Sequence, residues 1–167
     1  MGQTFSSNPA DFVFRQLFDK ESSTFTYLLA DLKTKEAMLI DPVLEQVDRD
    51  YAILKELELD LKYIINTHVH ADHIVSNNAM RAKYFPNLRS VLGKTGNDAA
   101  KADLHMDHGK VLKMGTVELQ FISTPGHTNG CHTLVEHRRK LVFTGDTVLI
   151  RGKSSSDIFD ACFRLND

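Results

Sequence analysis

The first sixty-five residues read as a series of apolar runs broken by short polar turns. Phe12 to Phe18 and Thr24 to Ala30 are strand-type runs, with the polar stretch Asp19 to Ser23 as the turn between them. Glu36 to Ile40 follows a Lys33-Thr34-Lys35 turn and ends in Asp41-Pro42, so the three runs predict an antiparallel meander. From Gln46 to Leu59 the period changes. Val47, Tyr51, Leu54 and Leu57 fall at helical spacing, and the predicted helix crosses to a strand over Leu61 to Ile65. A strand, a crossover helix and another strand, in that order, predict sheet faces covered by helices.

The pattern continues more loosely. A helix is expected from Ile74 to Tyr84, a short strand at Arg89 to Leu92, and loop with a short helix from Gly93 to Asp107. Lys110 to Met114 and Val117 to Ser123 read as strands around a Gly115-Thr116 turn. Thr133 to Glu136 and Lys140 to Thr144 form a hairpin, and Val148 to Ile150 is one more short strand. There is no repeat, linker or low-complexity segment, hence no internal domain boundary.

Candidate chemistry sits where these strands end. Directly after the Leu61 strand comes His68-Val69-His70-Ala71-Asp72-His73, three imidazoles and a carboxylate within six residues. If Thr67 to His70 stay extended, His68 and His70 point the same way. Such a cluster is costly to bury unless something binds it, and imidazole with carboxylate suits zinc, iron or manganese. Pro125-Gly126 then turns the chain after the Val117 strand and delivers His127, and Thr144-Gly145 delivers Asp146 in the same manner. Each of these alone is an ordinary strand-end residue. Three ligand-bearing strand ends together predict a metal site.

Composition narrows the setting. At 167 residues, 42% hydrophobic and 25% charged, the chain is one globular domain's worth. A formal net charge of -2 gives no electrostatic case for nucleic acid or an anionic membrane. The two cysteines, Cys131 and Cys162, make no disulfide framework and fit a reducing compartment, with Cys131 read as a small buried packing residue. No apolar run is long enough to span a bilayer as a transmembrane helix. The N-terminus is not Arg-rich and carries Asp11 before its first arginine, so it gives no clear presequence, while Met1-Gly2-Gln3-Thr4-Phe5-Ser6 matches the N-myristoylation pattern.

His68-x-His70-x-Asp72-His73, then Pro125-Gly126-His127-Thr128, then Thr144-Gly145-Asp146 resembles the metallo-β-lactamase superfamily in order and separation. Wider phrases resemble the glutathione-persulfide dioxygenases: Thr24 to Leu29, Leu39 to Glu45, Asn66 to His68, His70 to Ile74, Ala102 to His105, and Phe143 to Asp146 with Leu149 to Gly152. The resemblance implies an α/β chain folded as an αββα sandwich over residues 12–152, incomplete in its C-terminal half, with an N-terminal arm at 1–11 and a divergent tail at 153–167. It implies one Fe(2+) per chain, held by His68, His127 and Asp146, with His70, Asp72 and His73 as outer-shell groups and Asp41 and Thr67 in support. The implied partners are glutathione persulfide and O2, oxidised to sulfite and glutathione in a mitochondrial setting. Cytoplasmic placement is the alternative.

Two further readings compete. In a two-zinc thioester hydrolase similar to glyoxalase II, His68, His70 and His127 would hold one Zn(2+), Asp72 and His73 the second, and Asp146 would bridge. That site needs a histidine downstream of Asp146, and the last histidine is His137. The other reading is an inactive metal-binding or regulatory form, or a homo-oligomer paired through an exposed sheet edge. After Gly152 the chain departs from the family pattern, with Ser155 where the family carries a substrate-binding arginine, so weak turnover is expected. His105, His108, His132 and His137 lack ligand spacing and read as structural or surface residues.

Overall fold

The computed structural model describes residues 11–69, 76–97 and 99–148, together with the backbone of a strand at 162–164. The expected meander forms as β1 (Phe12–Phe18), β2 (Phe25–Asp31) and β3 (Glu36–Ile40), each antiparallel to the next. A 3-10 turn at Leu44–Gln46 leads into helix α1 (Val47–Glu56), which returns the chain to β4 (Asp60–Asn66), parallel to β3. α1 stops short of the predicted Leu59 because Glu58 takes a left-handed backbone, φ 55°. The amides of Glu58 and Leu59 then close back onto the carbonyls of Lys55 and Leu54, which satisfies the helix end.

Helix α2 (Asn77–Lys83) leads to β5 (Arg89–Gly93) and β6 (Leu104–Met106), both parallel additions that complete a six-stranded sheet in the order β1-β2-β3-β4-β5-β6. β6 lies in the stretch expected to be loop and short helix. It is three half-exposed residues on a sheet edge, and only its long-range pairing with β5 makes it a strand. β7 (Val111–Met114), β8 (Val117–Ser123), β9 (His132–Glu136) and β10 (Leu141–Phe143) form the second sheet, antiparallel throughout. The sandwich was expected to be incomplete in its C-terminal half, yet within the divergent tail β11 (Cys162–Arg164) pairs with β10 and ends the order β11-β10-β9-β8-β7. The strand expected over Val148 to Ile150 lies mostly outside the described residues, and Val148 itself has an extended backbone. Residues 145–147 form a 3-10 turn and Val148 lies on the surface.

Alternation along the strands builds two cores. Tyr27 and Leu29 of β2, with Met38, Ile40 and Ile65, face Leu119, Phe121, Leu134 and Phe143 across the gap between the sheets. Leu28 and Ala30 point the other way, with Leu39, Leu61 and Ile64, against Val47 and Leu54 of α1 and Met80 of α2. The first sheet is therefore buried on both faces, as the near-continuous apolar runs of β2 to β4 require. Tyr51 of α1 stacks on Tyr84 at the end of α2, ring centroids 3.6 Å apart, and the Tyr84 hydroxyl donates to Asp48 at 2.7 Å.

A pin joins the two sheets at one end of the sandwich. Asp31, fully buried at the end of β2, accepts from the amides of Lys33 at 2.8 Å and Thr116 at 2.7 Å, the latter in the β7–β8 turn. At the opposite end the strand termini of both sheets come together around His68.

Candidate metal centre

β4 delivers Thr67 and His68 to that end, and Asp41 fixes how they leave the sheet. Asp41 follows β3 with a left-handed backbone, φ 49°, a conformation that Asp tolerates better than most residues. Its carboxylate takes the Thr67 amide on one oxygen and the Thr67 hydroxyl on the other, both at 2.8 Å. Because that hydroxyl donates to Asp41, its oxygen is left to accept from Nδ1 of His68, 3.0 Å away. The proton then sits on Nδ1 and the lone pair on Nε2, which is the atom that faces Asp146.

Asp146 arrives from the second sheet. Gly145 opens its 3-10 turn at φ 47°, and a Cβ there would collide with the Thr67 hydroxyl. Glycine is needed on both counts, and the close approach places the carboxylate beside the end of β4. His127 comes from the loop after β8, and a hydroxyl pair, Thr124 with Thr147 at 3.0 Å, ties that strand end to the Asp146 turn.

Among the described residues one group of His, Cys, Asp or Glu side chains converges well enough to hold a metal: His68, His127 and Asp146, whose donor atoms lie within 4.8 Å of one another. Asp146 Oδ2 is 3.8 Å from His68 Nε2 and 3.4 Å from His127 Nε2, and the two imidazoles stand at 84°. Donor atoms each about 2.1 Å from a common ion lie about 3.0–3.4 Å apart, so small side-chain rotations would bring all three to one ion. The donor set fits a divalent transition metal. Its anchoring is unequal. The His68 side chain is 2% exposed and hydrogen-bonded through Thr67 to Asp41, whereas that of His127 is 43% exposed.

The expectations for this site divide cleanly. His68, His127 and Asp146 come together, and Asp41 and Thr67 occupy the supporting positions. His70, Asp72 and His73 lie outside the described residues, as do Ser155 and the N-terminal Met1-to-Ser6 pattern. His105, His108 and His137 are exposed and away from the cluster, while Cys131 is buried with a free thiol. His132 is not a surface residue. It is fully buried beside Gly93, and neither it nor Asn97 carried any spacing signal. A groove of about 390 Å³ opens next to the centre, with Val69, Ala99, Ala100, Thr128 and Asn129 among its walls. These are small or uncharged side chains.

Comparison with known proteins follows the same lines. The family model described as the metallo-beta-lactamase superfamily matches residues 19–161. The mitochondrial persulfide dioxygenase ETHE1 of Mus musculus is 43% identical over 157 residues, covering 94% of this chain and 61% of that protein. The crystal structure of ETHE1 from Myxococcus xanthus superposes with a TM-score of 0.76 at 44% identity, over 88% of this chain and 63% of that one. A probable hydroxyacylglutathione hydrolase of Schizosaccharomyces pombe is more distant, 31% identical over 136 residues, covering 78% of this chain and 51% of that protein. The chain thus spans about three-fifths of the length of the dioxygenase relatives it matches.

Proposed function

We propose that this chain, which belongs to the metallo-β-lactamase superfamily, holds one Fe(2+) between His68, His127 and Asp146 and oxidises glutathione persulfide with O2. The observation that carries the reading is the donor set itself. Among the described residues, two imidazoles and one carboxylate converge from three strand ends, a donor set that suits Fe(2+). The identity to persulfide dioxygenases supplies the substrate class, and the mitochondrial names of those relatives favour the same compartment here.

Bound there, iron would supply the redox chemistry that amino-acid side chains lack. The overall change consumes one persulfide, one O2 and one water and yields glutathione and sulfite. The sulfane sulfur loses four electrons and O2 accepts them. The chain's own share is placement. Asp41 and Thr67 hold the His68 imidazole in one tautomer and one orientation, so that Nε2 is presented without reorganisation. Gly145 sets Asp146 against the end of β4. The groove beside Val69 and Thr128, uncharged among the described residues, would take the thiol-bearing arm of a substrate.

Elemental analysis of protein purified without air should find about one iron per chain and little zinc. An oxygen electrode should register uptake with glutathione persulfide, and lactoyl-glutathione should not be cleaved. Two tightly bound zincs, with thioester hydrolysis and no oxygen uptake, would replace this reading by the hydrolase.

A further inference from the structure

We propose that Asn97 and His132 are positioning residues that jointly grip the Gly130 carbonyl and so fix the loop carrying His127; this rests on the metal-binding reading above. His127 is the least buried of the three donors, and its placement depends on the backbone of residues 126–131. Much of that loop is knotted internally. The amides of Gly126 and Cys131 donate to the Thr128 carbonyl, the Gly130 amide donates to the Thr128 hydroxyl, and the Thr128 amide donates to the Cys131 sulfur. A loop closed on itself in this way moves as one piece. What determines the position of His127 is therefore whatever holds the piece to the two sheets.

The Cys131 carbonyl accepts from the Thr124 amide at the end of β8, and the Gly130 carbonyl is the attachment that reaches both sheets. It accepts from Nδ2 of Asn97 at 2.8 Å and lies 2.9 Å from Nδ1 of His132. Asn97 belongs to the segment after β5 in the first sheet, and His132 is the first residue of β9 in the second, so the carbonyl is gripped from both layers. Both residues are also tied down on their own account. The same Asn97 amide nitrogen donates its second hydrogen to the Gly93 carbonyl at 2.9 Å, and the His132 backbone amide donates to Thr67 beside His68. The fit is close on both sides. A Cβ on Gly130 would strike the Asn97 amide, and one on Gly93 would strike the His132 ring. A carbonyl can only accept, so His132 carries its proton on Nδ1, and its buried Nε2 has no partner among the described residues. A buried imidazole with one nitrogen unsatisfied is an expensive packing residue. The expense is explained if the Nδ1 donor is what the position requires.

The test is titration of the full chain with Co(II) alone, read by its visible absorption. His127→Ala sets the scale for loss of a ligand. Asn97→Leu and His132→Phe keep approximate volume and delete the donors, and each should weaken Co(II) binding about 10–100-fold. His132→Asn, whose amide can place a donor near the position of Nδ1, should stay within a few-fold of the unaltered protein. Leu54→Ala, in the core between α1 and the first sheet, should lower the melting temperature and leave Co(II) affinity unchanged. That contrast separates positioning from general stability. If Asn97→Leu fails to fold, the two His132 variants decide alone. His132→Phe binding Co(II) as tightly as the unaltered protein overturns the clamp, as does His132→Asn losing as much as His132→Phe. An unaltered chain that binds no Co(II) overturns the metal site itself, and that failure is visible before any variant is compared.

Discussion

Replacing Asp50 with Asn tests how this fold tolerates a carboxyl on the wrong face of a helix. Asp50 is one of three buried residues of α1, with Val47 and Leu54, and is 1% exposed. Burial pushes its pKa up from 3.8 to about 6, and the neighbouring Arg49 guanidinium, 2.8 Å from Oδ1, only partly opposes that. The other carboxylate oxygen has no hydrogen-bond partner among the described residues. Folding therefore favours the protonated form. The sign follows: the contribution is fully present below the unfolded value of 3.8 and is lost as pH rises through about 6. A rise of this size corresponds to about 3 kcal/mol, a large share of a domain stability of about 5–15 kcal/mol. Urea denaturation of both proteins, metal-free and at several pH values from 4 to 8, measures it. The stability of Asp50→Asn minus that of the unaltered chain should climb by up to about 3 kcal/mol between the acid and alkaline ends. Taking the difference cancels titration of the histidines common to both proteins, and the loss of an Arg49 partner adds only a roughly constant offset. A flat difference would refute the burial argument. A difference that falls with pH would mean that the Arg49 pair outweighs desolvation.

Two other perturbations address the ends of the sandwich. Thr67→Val keeps the shape of the side chain but removes the hydroxyl that joins Asp41 to His68, so Fe(2+) or Co(II) affinity should drop about 10–100-fold and the melting temperature should also fall as the buried Asp41 carboxylate loses a donor. For Asp31, burial raises the pKa, but hydrogen bonds from Thr116, Lys33 and Thr34 together outweigh it and hold the carboxyl below 3.8. Its stabilisation is therefore present above 3.8 and lost as pH falls below that. Asp31→Asn should cost about 1.5–3 kcal/mol at neutral pH by chemical denaturation, and the cost should shrink as pH falls below 4.

The contrast between Asp50 and Asp31 also shows what local sequence can and cannot reveal. The meander, the crossover helix and the strand before His68 were legible because their apolar residues recur with a local period, which does not depend on partners. The helical face was read through Val47, Tyr51, Leu54 and Leu57, yet the helix is rotated so that Asp50 is buried and Tyr51 sits half-exposed against Tyr84. Nothing in a window of residues around Asp50 reports the ring of Tyr84. The helix end was misplaced because Glu58, not glycine, takes the left-handed position. β6 was missed because three residues acquire strand geometry only from β5. At the candidate metal centre, the three potential donors were legible as strand-end residues in a recognisable order. The grip of Asn97 and His132 on Gly130 was not, since it joins residues more than thirty positions apart through a backbone carbonyl.

The candidate metal centre is also a seam. His68 belongs to the first sheet, while His127 and Asp146 belong to the second, so the distance between donors is set by the spacing of the two layers. That spacing is fixed by packed side chains such as Tyr27 against Phe143, ring centroids 5.1 Å apart, which cannot be compressed continuously. Three short connections then adjust the seam locally. The His132 amide donates to the Thr67 carbonyl at 2.8 Å, Gly145 packs on the Thr67 hydroxyl, and the Gly130 carbonyl is held from both layers. The first two meet at Thr67 and Gly145, next to His68 and Asp146, and the third holds the loop that carries His127. An ion bound between the layers would join them as a fourth connection, and its binding energy would appear as resistance to unfolding. Substitutions in the inter-sheet core should therefore weaken metal binding more than equally destabilising ones beneath the helices, because only the former alter the distance the ion must span.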